Sequence, residues 1–230
     1  MEKIVFLGTS MLYDEWQEYY HLILEDFGFD KQKDELSARL LSKLLKGEEV
    51  DPEELKEMIH ERIVTVAGDG PNLENEIDRI RGVLIAADEA TSVLLEKGRI
   101  PDIIMTDLDG KIEDLVKANE MGAVVLIHAH GDNQDAIRKH AGSFKGKIMG
   151  TTQSLPFDKI HNFGGFTDGD RGVYLADHFG ASEIDLIGFD FDHPREKGKN
   201  VEIKKKKLDW AYTLINKLPC ERINLPDSSS

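Results

Sequence analysis

Two carboxylates one residue apart, Asp107 and Asp109, close the segment IPDIIMTDLDG, and the apolar run before them reads as a buried strand. At the end of a parallel strand such a pair stands where open α/β sheets bind ligands. Carboxylate oxygens are the donors Mg²⁺ takes when it carries a nucleotide's phosphates. Two neighbouring acids also repel unless a cation lies between them. Asp and Gly are equally common in surface turns, but the apolar IIM puts both acids at the rim of a core. A second polar element ends the next apolar run, AVVLIHAHGDN, with His128, His130 and Asp132. Strand alternation sets His128 on the same side as His130 but deeper. His128 therefore reads as structural, His130 as a partner for a phosphate oxygen, and Asp132 as a third member of the metal shell.

Further polar loops follow other apolar runs. GDGPNL offers Gly68 and Gly70 for a tight turn before a helix, where backbone N–H groups can receive an anion. AADEAT places Asp88 at a strand end, as a helix cap or a ligand contact. GTTQ brings Thr152 and Gln153, whose hydroxyl and amide can bond phosphate, a heterocycle or turn backbone. NFGGFTDGDR combines Asn162, a Gly-Gly pair, Thr167, Asp168, Asp170 and Arg171, and arginine is well suited to pairing with phosphate. The run Lys204 to Lys207 is in its bland form a solvated face, and at a helix start it opposes the dipole. A lysine of that run turned to a triphosphate, here Lys207, recovers that cost.

The elements that must hold these loops are six short apolar runs: IVTVAG, VLIAAD, DIIMTD, AVVLIHA, KIMGTT and EIDLIGFDF. Most are followed by a segment of helical period. Near-continuous apolar strands alternating with helices imply a mainly parallel, Rossmann-like α/β sheet covered by helices on both faces. Right-handed crossovers then bring the following loops to one edge. Before the first strand, residues from about Asp14 to Lys46 carry a helical pattern with Leu36, Leu40, Leu41, Leu44 and Leu45, and Asp51-Pro52 restarts a short helix. With no strand signal there, residues 1–61 are expected to form an N-terminal helical appendage and residues 62–230 the α/β catalytic domain. The last helix is expected over Lys205 to Leu218, with DSSS as a frayed tail.

Composition narrows the class. A chain of 230 residues carrying a net charge of -15 argues against a broad nucleic-acid surface. An acidic protein that handles a polyanion needs metal ions or a few placed Lys and Arg. No apolar stretch approaches the length of a membrane span and no signal-peptide pattern opens the chain. The lone Cys220 suits a reducing cytosol, so a cytoplasmic protein acting on small molecules is expected.

In this order, GDGPNL, AADEAT, IPDIIMTDLDG, HAHGDN, GTTQ, NFGGFTDGDR and GFDF resemble the archaeal 6-hydroxymethyl-7,8-dihydropterin pyrophosphokinases, from about Ile63 to Leu218. The aspartate portion also resembles the catalytic domain of thiamine pyrophosphokinase. Asp69, Asn72 and Glu89 depart from the family pattern. The resemblance implies Mg²⁺-dependent transfer of the β,γ-pyrophosphoryl group of ATP to the pterin's hydroxymethyl group, releasing AMP, in tetrahydromethanopterin or folate-like cofactor synthesis. On that reading Asp107, Asp109 and Asp132 hold Mg²⁺ and Arg171 neutralises phosphate charge. Gly68, Gly70, Asp88, His130, Thr152, Gln153 and Lys207 serve ATP. Asn162, Thr167, Asp168 and Asp170 serve the pterin, one of the two aspartates accepting from its N3–H and 2-amino edge and Phe163 or Phe166 stacking on its ring. A nucleotide-sugar glycosyltransferase, for which Asp107-Leu108-Asp109 forms a D-x-D site, a thiamine-type pyrophosphokinase and a non-catalytic nucleotide sensor are the alternatives. The oligomeric state and the exact acceptor stay open at this stage.

Overall fold

The computed structural model describes residues 13–193 and 201–225. Helices α1 (Tyr13–Phe27) and α2 (Lys31–Leu44) precede a two-residue strand, β1 (Glu48–Glu49), and α3 (Pro52–Ile59). The alternation then runs β2 (Ile63–Ala67), α4 (Leu73–Glu76), β3 (Val83–Ala87), α5 (Ala90–Glu96), β4 (Ile103–Thr106) and α6 (Ile112–Glu120). It continues through β5 (Val124–Ala129), α7 (Gln134–His140), β6 (Lys147–Thr152) and β7 (Ile160–His161). It ends with α8 (Asp168–His178), β8 (Glu183–Ile187), α9 (Val201–Ile215) and β9 (Ile223–Asn224). All six expected strands are present.

Every strand pairing is parallel, in the order β1-β6-β5-β4-β3-β2-β8-β9, with β7 on the same edge of β6 as β1. From β2 the chain steps outward to β6, and α8 then carries it back across β4, β3 and β2 to β8. The order reverses between β2 and β8, and a crevice opens there above the strand ends. Alternate residues face opposite layers. Val64, Val66, Ile85, Met105 and Leu126 pack with α1, α3 and α8, while Ile104, Val125, Ile127 and Ile148 pack with α2, α6 and α7.

The N-terminal helices differ from the expected appendage. Gly28, at φ +65°, and Asp30, whose carboxylate accepts from Gln32 N–H, break the run into two helices. α1 buries Trp16, Tyr20 and Ile23 in one core layer and α2 buries Ala38 and Leu41 in the other. Residues on both sides of position 62 thus share the same cores. The leucine pattern was also offset from the buried stripe: Leu36 is exposed, whereas Asp34 and Ser37 are buried. β1 escaped notice because both its residues are exposed glutamates on a sheet edge. At the other end α9 begins at Val201, so the lysine run lies past the first residues of the helix, where opposition to the dipole is weaker. The DSSS tail lies outside the described residues. No helix among the described residues is long and apolar enough to cross a membrane.

Candidate active site

The site starts from two residues with unusual backbone. Asp88 follows β3 at φ +35°, its N–H still donating to Met105 O at 2.7 Å. Its carboxylate accepts from Thr106 Oγ1 and lies against Gly110, where any Cβ would collide with it. The N-cap of α5 is Glu89, so Asp88 is not the helix cap. After β4, Leu108 adopts φ +69° and buries its side chain, with its N–H held by Thr106 Oγ1 at 2.9 Å. A non-glycine residue in that region costs about 1–3 kcal/mol. What it secures is a turn that presents Asp107 and Asp109 together: oxygens of Asp88, Asp107 and Asp109 all lie within 4.8 Å of one another.

Charge accumulates at this corner. Burial and the neighbouring acid Asp168 push the Asp88 carboxyl well above the usual carboxylate range. Asp168, the first residue of α8, is likewise pushed well up by burial and by Asp107. Asp107 goes the other way. Burial raises it, but the His130 ring at 3.1 Å, Asp109 and Lys207 outweigh burial and keep it low. One oxygen of Asp88, Oδ2, is buried with no hydrogen-bond partner. A corner of acids with an orphaned oxygen matches the donor set of a hard divalent cation. Asp132, expected in the metal shell, lines the same cavity but is outside the group of three, and Asp88 stands in its place.

The expected cations sort unevenly. Lys204 and Lys207, three residues apart on α9, line the cavity, while Lys205 pairs with Asp209 and Lys206 with Asp26. Arg171 does not reach the cavity. It is 2% exposed, with Nη1 donating to His128 Nε2 at 3.0 Å and Nη2 to Thr151 Oγ1 at 3.2 Å. Because guanidinium only donates, His128 Nε2 must be unprotonated. Burial and Arg171 hold that imidazole well below its usual range. Burial also draws Arg171 down to about 10, against the raising effect of Asp168 and Asp170. It is a buried counter-charge behind the wall, and the expected clamp on phosphate is not what its geometry shows.

The Gly-rich loop also departs from expectation. Asp170 is fully buried, and its carboxylate accepts from Phe166 N–H, Thr167 N–H and Thr167 Oγ1, closing a capping box on α8. Asn162 bonds Ser154 O and Gly164 N–H, and Thr152 Oγ1 accepts from Ser154 N–H. These three stiffen turns and do not line the cavity. Gly164 and Gly165, at φ +85° and +82°, let the loop lie against Tyr174 and Arg171 of α8. Phe163 packs on His178 and Phe179, leaving Phe166 at the cavity. Gly70 meets Gly188, donating its N–H to that carbonyl at 2.6 Å, so this glycine joins β2 to β8 at the floor of the crevice.

The cavity measures about 690 Å³ and spans the strand ends. At the switch point it is lined by Gly68, Gly70, Gly188, Phe189, Asp190 and Phe191. The acids, Lys207, Thr167, Asp168 and His130 also line it, Gln153 after β6 marks the wall farthest along the sheet from the switch point, and Phe166 and Phe29 complete the lining. Sequence reasoning missed Phe29, Phe189, Asp190, Phe191, His193 and Lys204 among the lining residues. GFDF stood out only as a string, and Phe29 gave no signal.

A sequence profile described as "6-hydroxymethylpterin diphosphokinase MptE-like" matches residues 38–196. Three curated relatives carry the name 6-hydroxymethyl-7,8-dihydropterin pyrophosphokinase. The one from Methanothermobacter thermautotrophicus is 43% identical over 222 residues, covering 87% of this chain and 92% of its own length. Those from Methanocaldococcus jannaschii and Pyrococcus furiosus are 40% and 42% identical, each covering 89% of this chain and 94% and 93% of their own lengths. Among solved structures, a mammalian sialyltransferase superposes with a TM-score of 0.52 at 15% identity, covering 100% of this chain and 93% of its own. The Maf glycosyltransferase of Magnetospirillum magneticum gives 0.50 at 16% identity, over 81% of this chain and 34% of its own. Those two likenesses concern the fold alone. With the profile spanning most of the chain and relatives above 40% identity, this protein belongs to the 6-hydroxymethyl-7,8-dihydropterin pyrophosphokinase family.

Proposed function

We propose that this chain transfers the diphosphoryl group of ATP to the hydroxymethyl oxygen of a reduced pterin, with Mg²⁺, giving the pterin diphosphate and AMP in the cytoplasm. The observation that carries the reading is the corner where Asp88, Asp107 and Asp109 meet, faced by Lys207, inside a cavity of about 690 Å³. Asp88, Asp107 and Asp109 would hold Mg²⁺, which when bound shields phosphate oxygens as charge shifts toward the leaving AMP. Lys204 and Lys207 attract the triphosphate into an otherwise acidic cleft. The Arg171–His128–Thr151 network fixes the ends of β5 and β6 beneath it. Positioning supplies most of the rate in such transfers, so a strong general base is not required. Asp168 stands among the acids and Asp170 is a cap. Asp170 is therefore not placed to read the pterin edge, which leaves Asp168 and Gln153, both on the cavity lining, to do so.

Incubation of the pure protein with ATP, Mg²⁺ and 6-hydroxymethyl-7,8-dihydropterin is expected to yield AMP and the pterin diphosphate in equal amounts. ADP as product, absence of pterin-dependent turnover, or turnover of a sugar nucleotide instead would overturn the reading.

A further inference from the structure

Gln153 is gripped by both N-terminal helices, and the grip dictates which end of its amide faces the cavity. Trp16 Nε1 of α1 donates to Gln153 O at 2.7 Å, and Gln153 Nε2 donates to Asp34 Oδ2 of α2 at 2.8 Å. Asp34 is 2% exposed and accepts two further bonds: Tyr20 O–H at 2.6 Å on Oδ2 and Gly131 N–H at 2.6 Å on Oδ1. A carboxylate only accepts. The nitrogen of the Gln153 amide must therefore point at Asp34, and its oxygen is the end left for a ligand. Gln153 lines the same cavity as Phe29, contributed by the α1–α2 turn, and Phe166. Phe27 stacks on Phe29 at 5.2 Å and also meets Phe166 at 5.3 Å, which ties these two rings into one apolar surface.

We infer that Asp34 is a positioning residue for substrate selection: it fixes Gln153 Oε1 as an acceptor that reads a ring N–H or amino group of the acceptor heterocycle, whose flat face rests on Phe29 and Phe166. The inference deepens the proposed function and rests on that reading for the identity of the acceptor. It assigns the N-terminal helices, which carry none of the strand-end acids, a share in choosing the substrate.

The substitution Asp34→Asn tests it because its outcome is directional. Gly131 N–H is a backbone donor and keeps an oxygen opposite it, so the new amide nitrogen takes the Oδ2 position. That nitrogen donates, and Gln153 must turn its oxygen inward and present N–H₂ to the cavity. The pterin KM is expected to rise at least about tenfold, with kcat and the ATP KM changed less than about twofold, as when a binding contact away from the reacting atoms is lost. A second readout separates this from general damage: preference for the 2-amino pterin over its 2-oxo counterpart, measured by turnover and by equilibrium binding of the ring without ATP. Wild type should favour the amino compound and Asp34→Asn should narrow or reverse that preference. Where thermal melting shows that Asp34→Asn does not fold, Gln153→Met carries the same measurement, with the preference expected to vanish. An unchanged preference, or an ATP KM that rises in step with that of the pterin, overturns the inference. A wild type that binds the ring with this preference yet forms no AMP would leave the inference standing and remove the pyrophosphokinase reading.

Discussion

The acid corner and the far wall of the cavity are built on different principles. The corner is assembled from neighbours in sequence: Asp88 meets Thr106 across 18 residues, and Asp107 fixes Asp109 across two. The wall is assembled from distant segments, with Asp34 reaching Gln153 across 119 residues and Trp16 across 137. Strand ends brought side by side by a parallel sheet position charge cheaply, because adjacent βα loops are adjacent in space. A wall for a particular ring needs surfaces that the sheet itself does not supply, and here the N-terminal helices furnish them.

The largest expected effect separates the two regions outright. Asp109→Ala should cut turnover by more than about a thousandfold, since a metal carboxylate supports several kcal/mol of charge stabilisation. The melting temperature in metal-free buffer should hold or rise, because one member of a repelling group is gone. Rates and melts recorded side by side decide it, and a collapsed fold would make Asp109 structural. Arg171→Ala should reverse that pattern. It removes a buried charge whose partners are then stranded, at a cost of about 3–5 kcal/mol by denaturant titration. If stability were intact and only ATP affinity fell, Arg171 would be the phosphate clamp after all. Smaller still, Lys207→Ala should raise the ATP KM about tenfold, the equivalent of ~1.4 kcal/mol, while Lys205→Ala, which frees Asp209 and Asp192, should leave it unchanged. Equal effects from both lysines would show that only the net charge of α9 counts.

Legibility in the sequence follows the same division. The six strands, their parallel direction and the acids after β4 were readable because apolar runs and strand-end polar residues are local signals, whereas the order of the strands in the sheet was not. The Asp168-Gly-Asp170-Arg171 cluster was only half readable. Its chemistry suited a ligand, but a capping box and a buried guanidinium use the same residue types, and only packing decides between them. Asp34 was missed because an acid inside a leucine-rich helical run reads as its solvent face. Its three partners lie up to 119 residues away, and no periodicity records them.

The smallest predicted effect concerns His128, which sits where the two regions join. Its folded value lies well below the ordinary 6.5 because of burial, Arg171 and His130. Between those two values the unfolded chain binds a proton that the folded one refuses, so this contribution to stability is complete above about pH 6.5 and drains as pH falls. His128→Gln, which still accepts from Arg171, should flatten the acid limb of a stability-against-pH curve. An unchanged limb would place the acid sensitivity elsewhere.

The bond from Trp16 to Gln153 also sets a schedule for synthesis. At about 5–20 residues per second, α1 leaves the ribosome roughly ten seconds before the carbonyl its indole will bind has been made. Through that interval the stripe of Trp16, Tyr20, Ile23 and Leu24 lacks part of its final cover, since β6 and α8 are still to come. The nascent chain must carry part of an aromatic surface in the open until β6 and α8 emerge, with the flanking Asp14, Glu15, Glu18, Glu25 and Asp26 to keep it in solution.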